Sequence, residues 1–182
     1  MPAQFETFFL ASAGASAGLI GLLFVAVSVA PEKVFGTDAD AVRQAQALSA
    51  FTALANVFFI SMASLIPEIS FGIVVTIVAI PSALQTLALL RLVRHWRGAG
   101  ILYRGAVLFL GSAAIYASEL FIGLQAWSGQ PNRGELEGLT QLMLGAYAIG
   151  LGRAWELLGA PRTGFIPPLI SLFRRKPPEA KS

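Results

Sequence analysis

Five long apolar stretches constrain the fold of this chain more than any other feature. They cover residues 8–30, 46–66, 69–90, 105–127 and 139–159, which is 21 to 23 residues each. At about 1.5 Å of rise per helical residue, each stretch spans roughly 30 Å, the thickness of bilayer hydrocarbon. The first three contain no Asp, Glu, Lys or Arg. The sequence therefore predicts an all-α, polytopic membrane bundle of five transmembrane helices.

The composition leaves little room for a soluble domain. Charged residues make up 13% of the chain, against about 25% in a typical soluble protein. We predict a transmembrane bundle over 1–160 and a cytoplasmic segment over 161–182. The apolar run 165–173 in that segment is too short to cross a bilayer and precedes Arg174, Arg175 and Lys176. This pattern predicts a surface-lying segment beside anionic headgroups.

The basic residues predict the orientation of the chain. The loops on one side of the predicted spans carry eleven Lys and Arg residues, whereas those on the other side carry only Arg133. Basic flanks stay in the cytoplasm, so we expect the N-terminus outside and the C-terminus inside. The cytoplasmic basic residues expected to contact anionic lipid headgroups are Arg91, Arg94, Arg97, Arg174, Arg175 and Lys176.

Small residues recur at helical spacing in the first and last stretches. Gly14, Gly18 and Gly21 lie in the first, and Gly150 and Gly152 lie in the last. Small side chains let membrane helices approach closely, which gains dispersion contacts. The spacing favours either packing within one subunit or a seam between subunits, and the two interpretations stay open at this point.

Glu119 is the most informative polar residue, because a charge exposed to lipid costs several kcal/mol. We expect it to face protein or water, or to be protonated. Tyr147 has a similar predicted depth, which predicts a Glu119–Tyr147 hydrogen bond. Asn56 and Tyr116 also lie at similar depths, which leaves a pair between them open.

Further polar side chains form helical stripes that have two interpretations. Gln85 shares a face with Ser82 and Thr86 in the third stretch. Such stripes either line a wet cavity or join helices by hydrogen bonds. Arg153 and Glu156, spaced i, i+3, are expected to form a local ion pair, unless Arg153 extends to the cytoplasmic surface.

Several classes of chemistry lack the residues they need. The chain has no cysteine and a single histidine, His95, which excludes disulfides, thiolate metal clusters and a bis-histidine haem within one copy. No catalytic motif has usable spacing, so we expect no enzyme, cofactor or metal site. The basic residues flank membrane spans instead of forming one basic face, which argues against nucleic-acid binding.

The first stretch resembles a group of small multi-pass bacterial membrane proteins, some of which are named modulators of the FtsH protease. The similarity covers 8–28 and has the pattern Phe-Phe-x-Ala-x-Ala-Gly-Ala-x-Ala-Gly-Leu-x-Gly-Leu-x-Phe-Val-Ala-Val-Ser. It implies a helical protein of the bacterial inner membrane. It implies no catalytic residues and does not establish protease regulation.

Two functions follow from these features. The first is a non-enzymatic accessory or regulatory subunit of a membrane assembly, with another membrane protein as partner. The alternative is a small homo-oligomeric ion channel or transporter that uses a polar path near Glu119. In both, the lipid bilayer is the solvent of most of the chain.

Overall fold

The computed structural model describes residues 3–29, 31–36, 41–67, 69–93, 101–127 and 129–157. Side chains are described over the same ranges except 33, 41–42, 90–93 and 101–107. The predicted surface segment within 161–182, with Arg174, Arg175 and Lys176, lies outside the described residues. Arg94, Arg97 and the side chain of Arg91 also lie outside them.

The described part of the chain is helical, as predicted. Five long helices overlap the five apolar stretches, and one short helix lies between the first two. The helices are α1 (Ala3–Ser28), α2 (Glu32–Phe35), α3 (Ala41–Ser64), α4 (Phe71–Val93), α5 (Ile101–Gln125) and α6 (Arg133–Leu157).

Four of the long helices are apolar enough to cross a membrane over the described residues. They are α1 and the greater part of α3, α4 and α5, which indicates a membrane protein. The helix α6 is not among these four; it carries Arg133 and Glu135 near its start and Arg153 and Glu156 near its end. A fifth span and the direction of insertion therefore remain proposals.

The helix α3 lies at the centre of the bundle and packs against α1, α4 and α6. Its inner face includes Ala50 and Ala53, which are both fully buried. These small side chains let the neighbouring helices approach, in the way membrane helices associate where lipid offers no hydrophobic drive. Larger side chains fill the core around them: Phe9 of α1, Leu54, Val57 and Ile60 of α3, Val75 of α4, and Leu139 and Met143 of α6.

Helices α4 and α5 cross closely at two glycines. A Cβ atom on Gly72 would overlap the backbone of Ala126, and one on Gly123 would lie 2.6 Å from Thr76 Oγ1 and 2.9 Å from Thr76 N. Neither position has room for a side chain. The crossing therefore depends on glycine on both helices.

The start of α6 is fixed by a reciprocal cap. The backbone N–H of Glu135 donates to Asn132 Oδ1 at 2.9 Å, and the backbone N–H of Asn132 donates to Glu135 Oε2 at 2.8 Å. This capping box satisfies two donors that a helix start leaves free. It defines the turn from α5 into α6.

We expect Gly123→Ala to lower the free energy of unfolding by about 1–3 kcal/mol, because the new methyl group overlaps backbone atoms of α4. The measurement is reversible unfolding in a mixed-detergent titration. Gly21→Ala is the matched control, since a Cβ atom there meets nothing within 4 Å. Equal stability of the two variants would show that α4 and α5 do not cross as described.

Candidate functional site

Glu119 lies in the interior of the bundle, where 0% of its surface is exposed. Asn56 of α3 donates from Nδ2 to Glu119 Oε2 at 2.8 Å. The same Nδ2 lies 3.3 Å from Ser82 Oγ of α4. One amide group therefore joins three helices around a buried carboxyl.

The hydroxyl of Ser82 is oriented to accept from Asn56. Its own proton is donated to the carbonyl oxygen of Val78 at 3.0 Å, one turn earlier in α4. The Thr86 hydroxyl in turn donates to the Ser82 carbonyl oxygen at 2.9 Å. The predicted polar face of α4 thus points inward and joins α4 to α3, because buried polar groups need partners.

Several buried side-chain oxygens of α3, α4 and α5 have no such partner. Glu119 Oε1, Asn56 Oδ1 and Thr76 Oγ1 are buried and have no hydrogen-bond partner among the described residues. All three are oxygens that accept hydrogen bonds or bind cations. The site therefore has spare acceptor capacity in a closed environment.

The predicted Glu119–Tyr147 bond is wrong. The Tyr147 hydroxyl donates instead to the carbonyl oxygen of Ser12 at 2.6 Å, which joins α6 to α1. The two residues were matched by depth, but depth does not determine the direction in which a helix face points. Tyr147 packs on the side of α6 that contacts α1 and α3.

The Asn56–Tyr116 pair that the sequence left open does not form. Tyr116 is buried with 3% of its surface exposed, but the Asn56 amide nitrogen donates to Glu119 and Ser82. Because Asn56 Oδ1 has no hydrogen-bond partner, the Tyr116 hydroxyl does not donate to it either.

A second group of polar contacts joins the start of α3 to the end of α6. Arg153 Nη1 lies 3.4 Å from Glu156 Oε2, which confirms the predicted local ion pair. The amide nitrogen of Gln46 also donates to Glu156 Oε2 at 3.1 Å, and this bond joins α3 to α6. Gln85 contributes separately, since its Nε2 donates to the Leu48 carbonyl oxygen at 3.2 Å and joins α4 to α3.

The predicted packing glycines have different environments. A Cβ atom on Gly150 would lie 3.1 Å from two Leu54 side-chain atoms, so this glycine packs within the subunit. A Cβ atom on Gly14, Gly18, Gly21 or Gly152 would meet nothing within 4 Å. The first three lie on one exposed face of α1, whose buried residues Ser12 and Ser16 point the other way.

A cavity of about 800 Å³ lies at the end of the bundle that contains the starts of α1, α4 and α6. Glu6 and Trp127 contribute the most distinctive side chains. The rest of the lining comes from the two connecting loops and adjacent helix ends, including Ser64, Ser70, Phe71 and Leu136. The sequence did not predict this cavity, because its walls are distant in the chain.

Sequence reasoning also missed three of the polar groups described above. Thr76 was not selected because a single threonine in an apolar helix gives no signal. The Ser12 carbonyl and Gln46 were missed because a backbone acceptor has no sequence signature and Gln46 stands at the edge of its stretch.

Comparisons of the chain with protein-family models, curated proteins and solved structures find no match. The cluster is therefore interpreted from its own geometry.

We expect Asn56→Ala to lower the free energy of unfolding by about 1–3 kcal/mol, because Glu119 loses a buried hydrogen-bond donor. A double-mutant cycle with Glu119→Ala should give a coupling free energy of about 0.5–2 kcal/mol. The same cycle between Asn56→Ala and Glu156→Ala is the control and should be additive within about 0.5 kcal/mol. Additivity in the first cycle would contradict the described bond.

Proposed function

We propose that this protein is a non-enzymatic accessory or regulatory subunit of a membrane assembly. The exposed face of α1 carries the proposal. Gly14, Gly18 and Gly21 form a smooth strip with open space in front of it, while the opposite face of α1 packs into the bundle. Such a strip is the shape to which a second transmembrane helix packs closely.

The large apolar side chains beside the strip support the same proposal. Leu10, Leu22 and Val25 are more than half exposed on α1. Leu10 lies one turn before Gly14 and Val25 one turn after Gly21, so these side chains bound the strip at its two ends. A partner helix would gain dispersion contacts with the strip and with these exposed side chains.

The burial of Glu119 favours the accessory role over the channel alternative. Its carboxyl is enclosed by α3, α4 and α5, and the hydrogen bond from Asn56 closes one side of it. A conducting path needs polar groups that face water. The polar stripes of α3 and α4 instead bond to one another within the subunit.

We also propose that α6 crosses the membrane, with the N-terminus outside and the C-terminus in the bacterial cytoplasm. The helix has 25 residues, about 37 Å of length, and its inner face packs on α3 and α5. Its charged residues cluster toward its two ends, where headgroups and water solvate them. The charge asymmetry between the loops supports the direction, and the four apolar helices support the membrane.

We expect Gly18→Leu to weaken binding of the partner, because the new side chain occupies the space in front of the glycine strip that a partner helix needs. The complex is extracted from native membranes into lipid nanodiscs and analysed by native mass spectrometry. The affinity of the partner, whether another protein or a second copy, should fall at least about tenfold. Gly152→Leu is the matched control, since its Cβ atom also meets open space but on α6.

A partner retained at full occupancy in Gly18→Leu would refute the α1 interface. A particle of the unmodified protein that is monomeric and free of other polypeptides would refute the accessory role itself.

The orientation is tested by labelling single introduced cysteines. The chain has no cysteine of its own, so only the introduced residue reacts. We expect Gln130→Cys, in the α5–α6 loop, to react with a membrane-impermeant maleimide added to intact spheroplasts. Ser182→Cys should react only after the membrane is opened. The reverse pattern would show that the N-terminus is inside and the C-terminus outside. Equal protection of both sites would contradict a five-span arrangement.

A further inference from the structure

The cavity at the end of the bundle contains a carboxylate that no neighbouring cation balances. Glu6, in the first turn of α1, lines this cavity of about 800 Å³. Its side chain is exposed to solvent, where a carboxyl group is ionised at neutral pH. Among the described residues Glu6 makes no hydrogen bond or ion pair, and Arg133 at the start of α6 is paired instead with Glu137 at 2.7 Å. The cavity therefore carries a negative charge that is available to a cationic ligand.

The helix ends around the cavity do not change the sign of this charge. The starts of α1, α4 and α6 and the ends of α3 and α5 meet at this end of the bundle. The two ends of a helix dipole carry opposite partial charges, so these contributions largely offset one another. The carboxylate of Glu6 determines which ligands the cavity attracts.

The cavity lies at the depth where the apolar part of the helices ends. The candidate membrane segments of α3 and α5 end at Ser64 and Gln125, and that of α4 begins at Phe71. The wall of the cavity comes mainly from these ends and from the α3–α4 and α5–α6 loops, including Trp127. At this depth a bilayer presents lipid headgroups, and tryptophan is enriched there. The cavity is therefore placed to receive a headgroup.

The rest of the wall suits an organic cation attached to an apolar chain. Trp127 and Phe71 line the cavity, and the Ser70 hydroxyl donates to the Trp127 carbonyl oxygen at 3.3 Å, which joins the two loops. The face of an aromatic ring attracts an ammonium group, and tryptophan does so most strongly. Ile66 and Ile69 also line the cavity and are about half exposed, which gives acyl chains an apolar surface.

We propose that this cavity binds the headgroup of one amine-bearing phospholipid, whose ammonium group pairs with Glu6 and packs against Trp127. Hydrogen bonds between an ammonium group and a carboxylate are among the strong ones. The Gln130 amide, which also lines the cavity, supplies a neutral N–H donor for the phosphate oxygens. None of the described lining residues is basic. A lipid without an ammonium group would therefore bring its phosphate beside Glu6 with no charge to balance it.

This inference is independent of the accessory role and of the proposed orientation. It rests on one end of the bundle, whichever leaflet that end faces. The proposed partner surface is the glycine strip of α1, which does not line the cavity.

The test measures lipid binding to the delipidated full chain in detergent by native mass spectrometry, with lipids that have identical acyl chains. We expect one molecule of phosphatidylethanolamine to bind at least about threefold more tightly than phosphatidylglycerol, which has no ammonium group. Soluble phosphoethanolamine carries the same headgroup without chains. It should bind at least about tenfold more weakly than the lipid, because it does not contact the apolar wall.

Glu6→Gln keeps the shape of the side chain and removes its charge. We expect this variant to lose the preference for phosphatidylethanolamine over phosphatidylglycerol. Glu32→Gln is the matched control and should keep the preference, because Glu32 is an exposed carboxylate on α2 at the opposite end of the bundle. Trp127→Leu should weaken phosphatidylethanolamine binding about two- to fivefold, since leucine is apolar but has no aromatic face. Melting temperatures without added lipid show whether each variant folds.

Equal binding of the two lipids to the unmodified protein overturns the proposal, and so does an unchanged preference in Glu6→Gln. Equal affinities for phosphoethanolamine and the lipid would show that the cavity takes a soluble amine, which refutes the lipid assignment. If Glu6→Gln does not fold, the comparison of the two lipids on the unmodified protein decides.

Discussion

The hydrogen bond from Asn56 to Glu119 is the contact on which the arrangement of α3, α4 and α5 depends. It places a buried carboxyl of α5 against a buried amide of α3, and the amide also reaches Ser82 of α4. In lipid, a polar group that turns outward finds no water, so these faces must point inward together. These three side chains thereby restrict how α3, α4 and α5 rotate about their axes.

Close backbone packing then determines how tightly the helices fit. The crossing of α4 and α5 leaves no room for a side chain at Gly72 or Gly123, and α6 approaches α3 at Gly150. The glycines of α1 have the opposite environment, because Gly14 and Gly18 face open space. Glycine thus allows close contact between helices inside the subunit. On α1 it leaves an open outer face, which is the proposed partner surface.

Most of the fold was predictable, whereas the site was predictable only in part. The apolar stretches located the five long helices, since about 20 apolar residues have few other stable solutions. The spacing of Arg153 and Glu156 also gave their ion pair, because both partners lie on one helix. Glu119 and Asn56 were each identified as important, but they were matched to Tyr147 and Tyr116 instead of to each other.

The helical class, the candidate membrane helices and the residues too polar to face lipid all follow from the amino-acid sequence alone. Hydropathy and helical rise are local properties, and each can be computed from consecutive residues. Three-dimensional packing is needed to show which polar residues meet, which glycines are covered and where a cavity forms. These outcomes depend on how each helix is rotated about its axis, and that rotation is set by contacts between residues such as Asn56 and Glu119, which are 63 positions apart.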